Sequence, residues 1–156
     1  MDFDGAVGND GTGIKIWVRS PFFAPNKVPS SVRVFSYKIA FECSNNEAEY
    51  EALIAGLKIL RKLNAKRISV YSDSELVIKQ VKGENQAKHP RMRAYRNAVL
   101  DILKLLSEYT LTCVPRIQNS IADALSKATS SFKFPMNSSN KFEIHVKHRP
   151  TIPDNQ

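Results

Sequence analysis

Residues 44–74 read SNNEAEYEALIAGLKILRKLNAKRISVYSDS, the pattern of a helix, a strand and the start of a second helix. Ser44 followed by Glu47 fits a capping box, so a helix is predicted to begin there. Residues 67–72 form a short run with alternating apolar side chains, as in a half-buried strand. Asp73 comes directly after that run, where the next helix opens. The stretch therefore predicts an alternation of helices and strands.

The remainder of the chain places strands before this stretch and further helices after it. Runs with alternating apolar residues favour an antiparallel meander, and they lie around Phe3, over 14–18 and over 32–41. In the second run Lys15 falls on the polar, half-exposed side. Later segments are a helix over about 90–108, a strand over 110–114 and a helix over 119–129. The predicted fold class is α/β, a mixed sheet flanked by helices.

Length and composition indicate one domain with a nucleic-acid partner. The chain has 156 residues, 42% of them hydrophobic, and a formal charge of +8, which favours a polyanion. Serine, asparagine and proline become frequent near the end, so we expect a domain over 1–129 and a C-terminal extension or linker over 130–156. No apolar run approaches the roughly 18 residues of a membrane span, and no signal peptide is evident. An intracellular protein without a membrane role is expected.

Four acidic residues lie where predicted elements begin or end, namely Asp4, Glu49, Asp73 and Asp123. Each alone has an ordinary interpretation, as a turn residue, a helix N-cap or a first-turn helix acid. Together they fit a carboxylate cluster at the carboxyl ends of central strands. Such a cluster repels itself unless cations occupy it, and ligands that are all oxygens favour Mg²⁺ or Mn²⁺ over Zn²⁺. Paired divalent ions about 4 Å apart suit phosphodiester hydrolysis.

The motifs that contain these acids are Phe3-Asp4-Gly5-Ala6, Asn45-Asn46-Glu47-Ala48-Glu49-Tyr50, Tyr71-Ser72-Asp73-Ser74 and Asn119-Ser120-Ile121-Ala122-Asp123-Ala124-Leu125. Over about residues 1–129 the chain resembles ribonuclease H. More narrowly, it resembles the ribonuclease H domain of plant gypsy-type LTR-retrotransposon polyproteins, which lies between reverse transcriptase and integrase. The resemblance implies a five-stranded mixed sheet, three antiparallel strands and then parallel additions, with flanking helices. It also implies hydrolysis of the RNA strand in RNA–DNA hybrids.

The resemblance further assigns roles to the acids in a site for two Mg²⁺ ions, for which Mn²⁺ can substitute. Asp4 would bridge both ions, and Asp123 would hold the ion that activates water. Asp73 and Glu49 would complete the site of the ion at the leaving group. The family's motif selects Glu49 rather than Glu47, and the two side chains point about 200° apart on a helix, so only one faces the sheet edge.

Contacts to nucleic acid are also implied by the resemblance. Asn45 and Asn46 would read the minor groove, where 2′-hydroxyl groups identify RNA, and helix capping is their alternative role. Residues 79–104 carry seven basic side chains against two acidic ones, which form either a phosphate-contacting surface or a solvated face. The residues expected to contact nucleic acid are Gly5, Asn45, Asn46, Ser74, Lys79, Lys82, Arg91, Arg116 and Asn119.

Two features depart from the family pattern. Many bacterial members carry a histidine in the loop before the last acid that is thought to help product release; here Arg116 is the candidate replacement, and slower turnover is the hypothesis that follows. Only three residues precede Asp4, so the first strand is expected to be short. A clipped central strand would weaken the sheet while leaving every acid in place.

Three functions are therefore compared. The first is an active ribonuclease H that works with reverse transcriptase and integrase segments of one polyprotein, in the cytoplasm or nucleus and in virus-like particles. The second is a catalytically inactive module that binds hybrids or RNA. The third is a related nuclease of the integrase or resolvase type, which would cut duplex DNA.

Overall fold

The computed structural model of the chain describes residues 1–8, 11–19, 32–115 and 144–153. The helix predicted over 119–129 lies outside the described residues. The described elements in chain order are β1 (Asp2–Gly8), β2 (Gly11–Arg19), β3 (Val32–Ile39), α1 (Asn45–Lys62), β4 (Arg67–Ser72), α2 (Glu75–Lys82), α3 (Pro90–Leu103), β5 (Glu108–Cys113) and β6 (Ile144–Lys147). Among them, no helix combines the length and apolarity that a membrane crossing requires.

The described strands form one mixed sheet in the order β5-β4-β1-β2-β3-β6. β1, β2 and β3 pair antiparallel, as predicted, while β4 runs parallel to β1 and β5 parallel to β4. The predicted α/β class is thus confirmed, but the sheet has six strands instead of five in the described part of the chain. The added strand β6 runs parallel to β3, with Ser36 opposite Ile144 and Ile39 opposite Lys147.

Part of the region assigned to an extension or linker belongs to this sheet. Residues 144–147 pair with β3, and Ile152 is buried in the core. The physical reason is that β3 would otherwise be an open edge, and β6 provides partners for its backbone groups. The predicted boundary at residue 129 falls outside the described residues and stays a prediction.

The first strand is longer than expected. β1 continues past Asp4 to Gly8 and pairs with β2 from Asp2 opposite Trp17 to Gly8 opposite Gly11. Interpreting Asp4-Gly5 as a turn is therefore wrong, because both residues lie inside a paired strand. Few residues precede Asp4, but the pairing of β1 with β2 continues after Asp4 and keeps the strand long.

The main helix packs across the centre of the sheet. Ser44 is its N-cap, and the Ser44 hydroxyl accepts a hydrogen bond from the Glu47 N–H at 3.2 Å, as the capping box predicts. The α1 residues Leu53 and Leu57 are buried together with Phe3 and Ile16 of the sheet. This packing holds the N-terminal half of α1 against β1, beside the predicted acidic cluster.

The helix predicted over about 90–108 ends earlier than its apolar pattern suggests. α3 stops at Leu103, and the N–H groups of Ser107 and Glu108 donate to the carbonyl of Lys66. These bonds start β5 beside β4, two residues before the predicted strand. The residues near 108, which the helical periodicity assigned to the helix, therefore belong to a strand, because their backbone pairs with β4.

Candidate metal centre

Three of the four predicted acids converge. Asp4, Glu49 and Asp73 each place one carboxylate oxygen within 4.8 Å of the others. Asp4 is only 3% exposed, and the other two are half-buried. Carboxylates from a strand, a helix and a loop thus meet in one pocket, as the sequence predicted.

The strand register accounts for the meeting of Asp4 and Asp73. β1 and β4 are parallel neighbours with Asp2 opposite Tyr71, so two residues further along each chain bring these acids to the same level. β4 ends at Ser72, whose hydroxyl accepts a hydrogen bond from the Ser74 N–H at 3.1 Å. Asp73 therefore lies at the carboxyl end of β4, beside Asp4 within β1, so the expectation that both acids sit at the ends of their strands is correct for Asp73 and wrong for Asp4.

The ordinary interpretation of Asp73 as a helix cap is wrong. The N-cap position of α2 is held by Ser74, and the Ser74 side chain makes no capping hydrogen bond. Gly83 ends α2 in the left-handed conformation, with φ of 81°. Asp73 is thus placed by the end of β4 and points into the acidic cluster instead of serving the helix.

A close approach of helix to strand brings Glu49 into the cluster. A Cβ atom placed on Gly5 would lie 2.6 Å from both the backbone carbon and the oxygen of Ala48. Only glycine leaves room for the first turn of α1 to contact β1 at this point. The residue after Ala48 is Glu49, and the Gly5 N–H donates a hydrogen bond to its carboxylate.

Gly5→Ala is expected to destabilise the protein by about 2–3 kcal/mol, because the added methyl group must push the α1 backbone away. Urea unfolding measures the change. Gly8→Ala, at the exposed end of the same strand, is the matched control and should have little effect. Equal losses for both variants would contradict the close packing at Gly5.

The electrostatics of the cluster are those of crowded carboxylates. Burial raises the pKa of Glu49 well above its usual range, and the charge of Asp4, a hydrogen bond to Asp4 and the charge of Asp73 raise it further. Among the described residues, the Gly5 N–H opposes this shift. Without a cation, Glu49 therefore holds its proton to a higher pH than a free glutamate does, with Asp4 as its hydrogen-bond partner.

The residues present fit a hard divalent cation. The Glu49 Oε2 atom is buried and accepts no hydrogen bond from the residues that the structure describes. Buried carboxylate oxygens are stable when a proton, a donor or a metal satisfies them. A set of oxygen-only ligands matches Mg²⁺ or Mn²⁺. Asp123, the fourth predicted ligand, lies outside the described residues.

A buried lysine beside the cluster was not anticipated. Lys15 lies opposite Asp4 on β1 and Ser36 on β3, and its ammonium donates a hydrogen bond to the Ser36 hydroxyl. Ile14, Lys15 and Ile16 are all fully buried, so both faces of β2 are covered here. The alternation that placed Lys15 on a half-exposed side could not reveal the second covered face.

Lys15→Met should remove a pH dependence of stability. Burial lowers the pKa of Lys15 to about 8, against 10.5 in the unfolded chain. Below about pH 8 the lysine is charged in both states, and above it the unfolded chain binds the extra proton, so stability rises with pH until about 10.5. The free energy of unfolding of the wild type relative to Lys15→Met should therefore rise by about 2–3 kcal/mol across this window.

Chemical denaturation at several pH values measures this difference between the two proteins. Burial also shifts the pKa values of Cys43 and Tyr50 upward, to about 11 and about 12, in the wild type. These groups are common to both proteins, so their titration cancels in the comparison. A difference that is constant with pH would show that Lys15 keeps its normal pKa.

The predicted nucleic-acid contacts are only partly in suitable positions. Asn45 and Asn46 are exposed at the start of α1, and the Asn45 Oδ1 accepts a hydrogen bond from the Val7 N–H at 3.4 Å. Lys79 and Lys82 are partly exposed, and pair with Glu75 and Glu84 on the surface. Neither asparagine is the N-cap of the helix, since Ser44 holds that position. Arg116 and Asn119 lie outside the described residues.

Arg91 does not present its guanidinium to solvent as predicted. It pairs with Glu47 at 3.1 Å and is 15% exposed. Its remaining nitrogens donate to the carbonyls of Ile152 and Pro153, each at 3.0 Å, and it lies over the Tyr95 ring. The sequence could not show this, because the two carbonyl partners lie more than sixty residues away in the chain and Glu47 lies 44 residues away. Arg91 is therefore a structural residue that joins α3 to the C-terminal segment.

Comparison with known proteins agrees with this geometry. The ribonuclease HI of Halobacterium salinarum is 38% identical over 82 residues, which are 53% of this chain and 41% of that protein. The chain spans less than half the length of the curated relatives that it matches.

Two solved structures have the same fold. The RNase H1 of Halobacterium salinarum superposes with a TM-score of 0.71 at 28% identity, over 81% of this chain and 92% of the other. LC11-RNase H1, solved in complex with an RNA/DNA hybrid, gives a TM-score of 0.67 at 26% identity, over 81% and 91%.

The family model described as reverse transcriptase-like matches residues 29–129, more than half of the chain. That span includes α1 with Glu49 and β4 with the Asp73 that follows it. The chain therefore belongs to the reverse transcriptase-like family and has the fold of ribonuclease H.

Proposed function

We propose that this chain is a ribonuclease H, an endonuclease that hydrolyses the RNA strand of RNA–DNA hybrids. The observation that carries the proposal is the convergence of Asp4, Glu49 and Asp73 within 4.8 Å, where the end of β4 lies beside β1. It is supported by the likeness to LC11-RNase H1, whose structure contains an RNA/DNA hybrid. A buried acidic cluster without metal is unfavourable, so its presence favours a catalytic role over a purely structural one.

The cluster is proposed to hold two divalent ions, Mg²⁺ or Mn²⁺. Asp4 is the most buried of the three acids and touches Glu49, so it is the proposed bridging ligand, with Glu49 and Asp73 on the leaving-group side. Asp123 is the proposed fourth ligand. When bound, such ions supply the positive charge that makes water nucleophilic and stabilises the leaving oxygen.

Substrate binding is assigned to the surface beside the cluster. Asn45 and Asn46 are exposed only four and three residues before Glu49, which suits contact with the minor groove near the scissile strand. Lys79 and Lys82 retain partial exposure and would contact phosphates of the DNA strand. Binding should then weaken with salt and show little sequence preference.

The biological setting is proposed from the resemblance of the motifs. A domain of a plant gypsy-type retroelement would work with reverse transcriptase and integrase segments of the same polyprotein, inside cells and in virus-like particles. The reverse transcriptase-like description of the matching family is consistent with this setting.

The test is cleavage of an RNA–DNA hybrid labelled on the RNA strand, with Mg²⁺ or Mn²⁺ added. We expect the wild type to cut the RNA strand and Asp73→Asn to leave it intact. Intact hybrid with folded wild-type protein would remove the enzymatic proposal. Hybrid binding without cutting would favour the inactive binding module, and cutting of duplex DNA would favour the integrase or resolvase type.

A further inference from the structure

The last described segment of the chain is anchored on the helix that carries Glu49. We call residues 144–153 the C-terminal strap. Its Thr151 donates two hydrogen bonds to the Glu51 carboxylate, from the N–H at 2.7 Å and from the hydroxyl at 2.8 Å. Lys147 pairs with the same carboxylate at 3.2 Å. Glu51 is fully buried on α1, so the strap supplies three of the contacts that satisfy its charge.

The remaining contact to Glu51 comes from the next helix layer. The Tyr95 hydroxyl on α3 donates to the Glu51 Oε1 at 2.8 Å. A buried carboxylate is tolerated when charged or polar donors surround it, and truncating one partner is costly. The Glu51 carboxylate is therefore the point where α1, α3 and the strap are joined.

A second carboxylate on the same side of α1 is tied to the strap through Arg91. The guanidinium of Arg91 contacts Glu47 at 3.1 Å and donates to the strap carbonyls of Ile152 and Pro153, each at 3.0 Å. Glu47 and Glu51 are four residues apart and so lie on one face of the helix. Both contacts therefore restrain the same face, next to the start of α1.

Glu49 lies between these two residues in sequence and points the other way. Each helical residue turns the side chain by about 100°, so Glu49 is directed about 200° from Glu47 and from Glu51. A rotation of the helix that loosened the strap contacts would also move Glu49 relative to Asp4 and Asp73. The strap face and the metal-ligand face are thus coupled through one rigid helical turn.

We propose that Glu51 is a positioning residue, through which the C-terminal strap fixes the rotation of α1 and so the place of Glu49 in the metal centre. The inference rests on the proposed function only in taking Glu49 as a metal ligand. It gives residues 144–153 a part in the active site through their contacts with α1.

The test is the affinity for Mg²⁺, measured by calorimetry well below the unfolding temperature. Glu51→Gln keeps the shape of the side chain but loses its charge-assisted bonds, and Thr151→Val loses one hydroxyl bond and keeps the backbone bond. We expect the Kd for Mg²⁺ to rise by about 3- to 10-fold in Glu51→Gln. This is less than the roughly 10- to 100-fold cost of losing a group that contacts a ligand directly. Thr151→Val should show a smaller change in the same direction.

Thr110→Val on β5 is the matched control, because Thr110 is exposed and has no place in the strap contacts. Its Kd for Mg²⁺ should equal that of the wild type. A lower unfolding temperature with unchanged Mg²⁺ affinity in both Glu51→Gln and Thr151→Val would overturn the proposal and leave the strap purely structural. If Glu51→Gln fails to fold, Thr151→Val alone decides between these outcomes.

An assay of hybrid cleavage distinguishes failure of the positioning role of Glu51 from failure of the proposed ribonuclease function. In Glu51→Gln, excess Mg²⁺ should restore most of the cleavage rate, since the ligands are present but displaced. A wild type that binds Mg²⁺ and cuts no hybrid would remove the ribonuclease proposal while the Mg²⁺ affinities still test the strap. Cleavage that stays low in Glu51→Gln at saturating Mg²⁺ would contradict a positioning role.

Discussion

Asp4→Asn is expected to reduce hybrid cleavage by at least about a hundredfold, because several kcal/mol of transition-state stabilisation depend on a properly held metal. The substitution keeps the size of the side chain and removes the charge of the most buried of the three clustered acids. It also removes a carboxylate that raises the pKa of Glu49, so the repulsion among the clustered carboxylates decreases in the metal-free protein. The variant should therefore be at least as stable as the wild type without metal.

Cleavage assays and thermal unfolding in metal-free buffer measure the two effects separately. Asp101→Asn is the matched control, because Asp101 is a largely exposed acid on α3 that pairs with Lys104 on the surface. It should cut hybrid at the wild-type rate. An Asp4→Asn variant that retains full cleavage would show that the acidic cluster is not the catalytic centre.

Much of the metal centre was predictable because its signals are local. Asp73 directly follows an alternating strand, and Glu49 lies in a helix whose start Ser44 marks by capping. The acids were expected at the carboxyl ends of strands, and this is correct for Asp73; Asp4 lies within β1, where the parallel register with β4 sets it beside Asp73. The prediction held where a single element and its position along the sheet determine where a side chain lies.

The partners of the C-terminal strap were not predictable for the opposite reason. Thr151 and Glu51 are one hundred residues apart, and no periodic pattern links them. A weakly apolar run such as the one around Ile144 is also ambiguous, because only the open edge of β3 makes it a strand. One signal was present, since Glu47 and Glu51 place two acids on the same helical face, away from Glu49.

Lys15 and Arg91 were wrongly placed because charge was taken as a sign of exposure. Lysine and arginine are rarely buried without partners, so an exposed position is the normal expectation. Here the Ser36 hydroxyl accepts a hydrogen bond from the Lys15 ammonium. The Arg91 guanidinium donates hydrogen bonds to the Glu47 carboxylate and to two backbone carbonyls. The tertiary structure brings these partners together, so the sequence pattern around each basic residue does not reveal them.

Mg²⁺ is expected to stabilise the protein more at about pH 8 than at about pH 5, and Glu49 provides the reason. Burial and the neighbouring charges raise the pKa of Glu49 well above its usual value of 4.5, so the metal-free protein binds a proton that the unfolded chain has lost. That proton stabilises the fold at low pH, and its contribution disappears as pH rises through the raised pKa. A divalent cation must displace the proton, so its binding strengthens as pH rises.

Thermal unfolding with and without Mg²⁺ across this pH range measures the effect. At a concentration about 100 times the Kd, a ligand stabilises by about 2.7 kcal/mol, so the gain at high pH should be readily visible. Glu49→Gln removes the titrating group and should both weaken the stabilisation and flatten its pH dependence. Because the competition is between one proton and the cation for the same oxygens, equal stabilisation by Mg²⁺ at both pH values would mean that the ion binds away from Glu49.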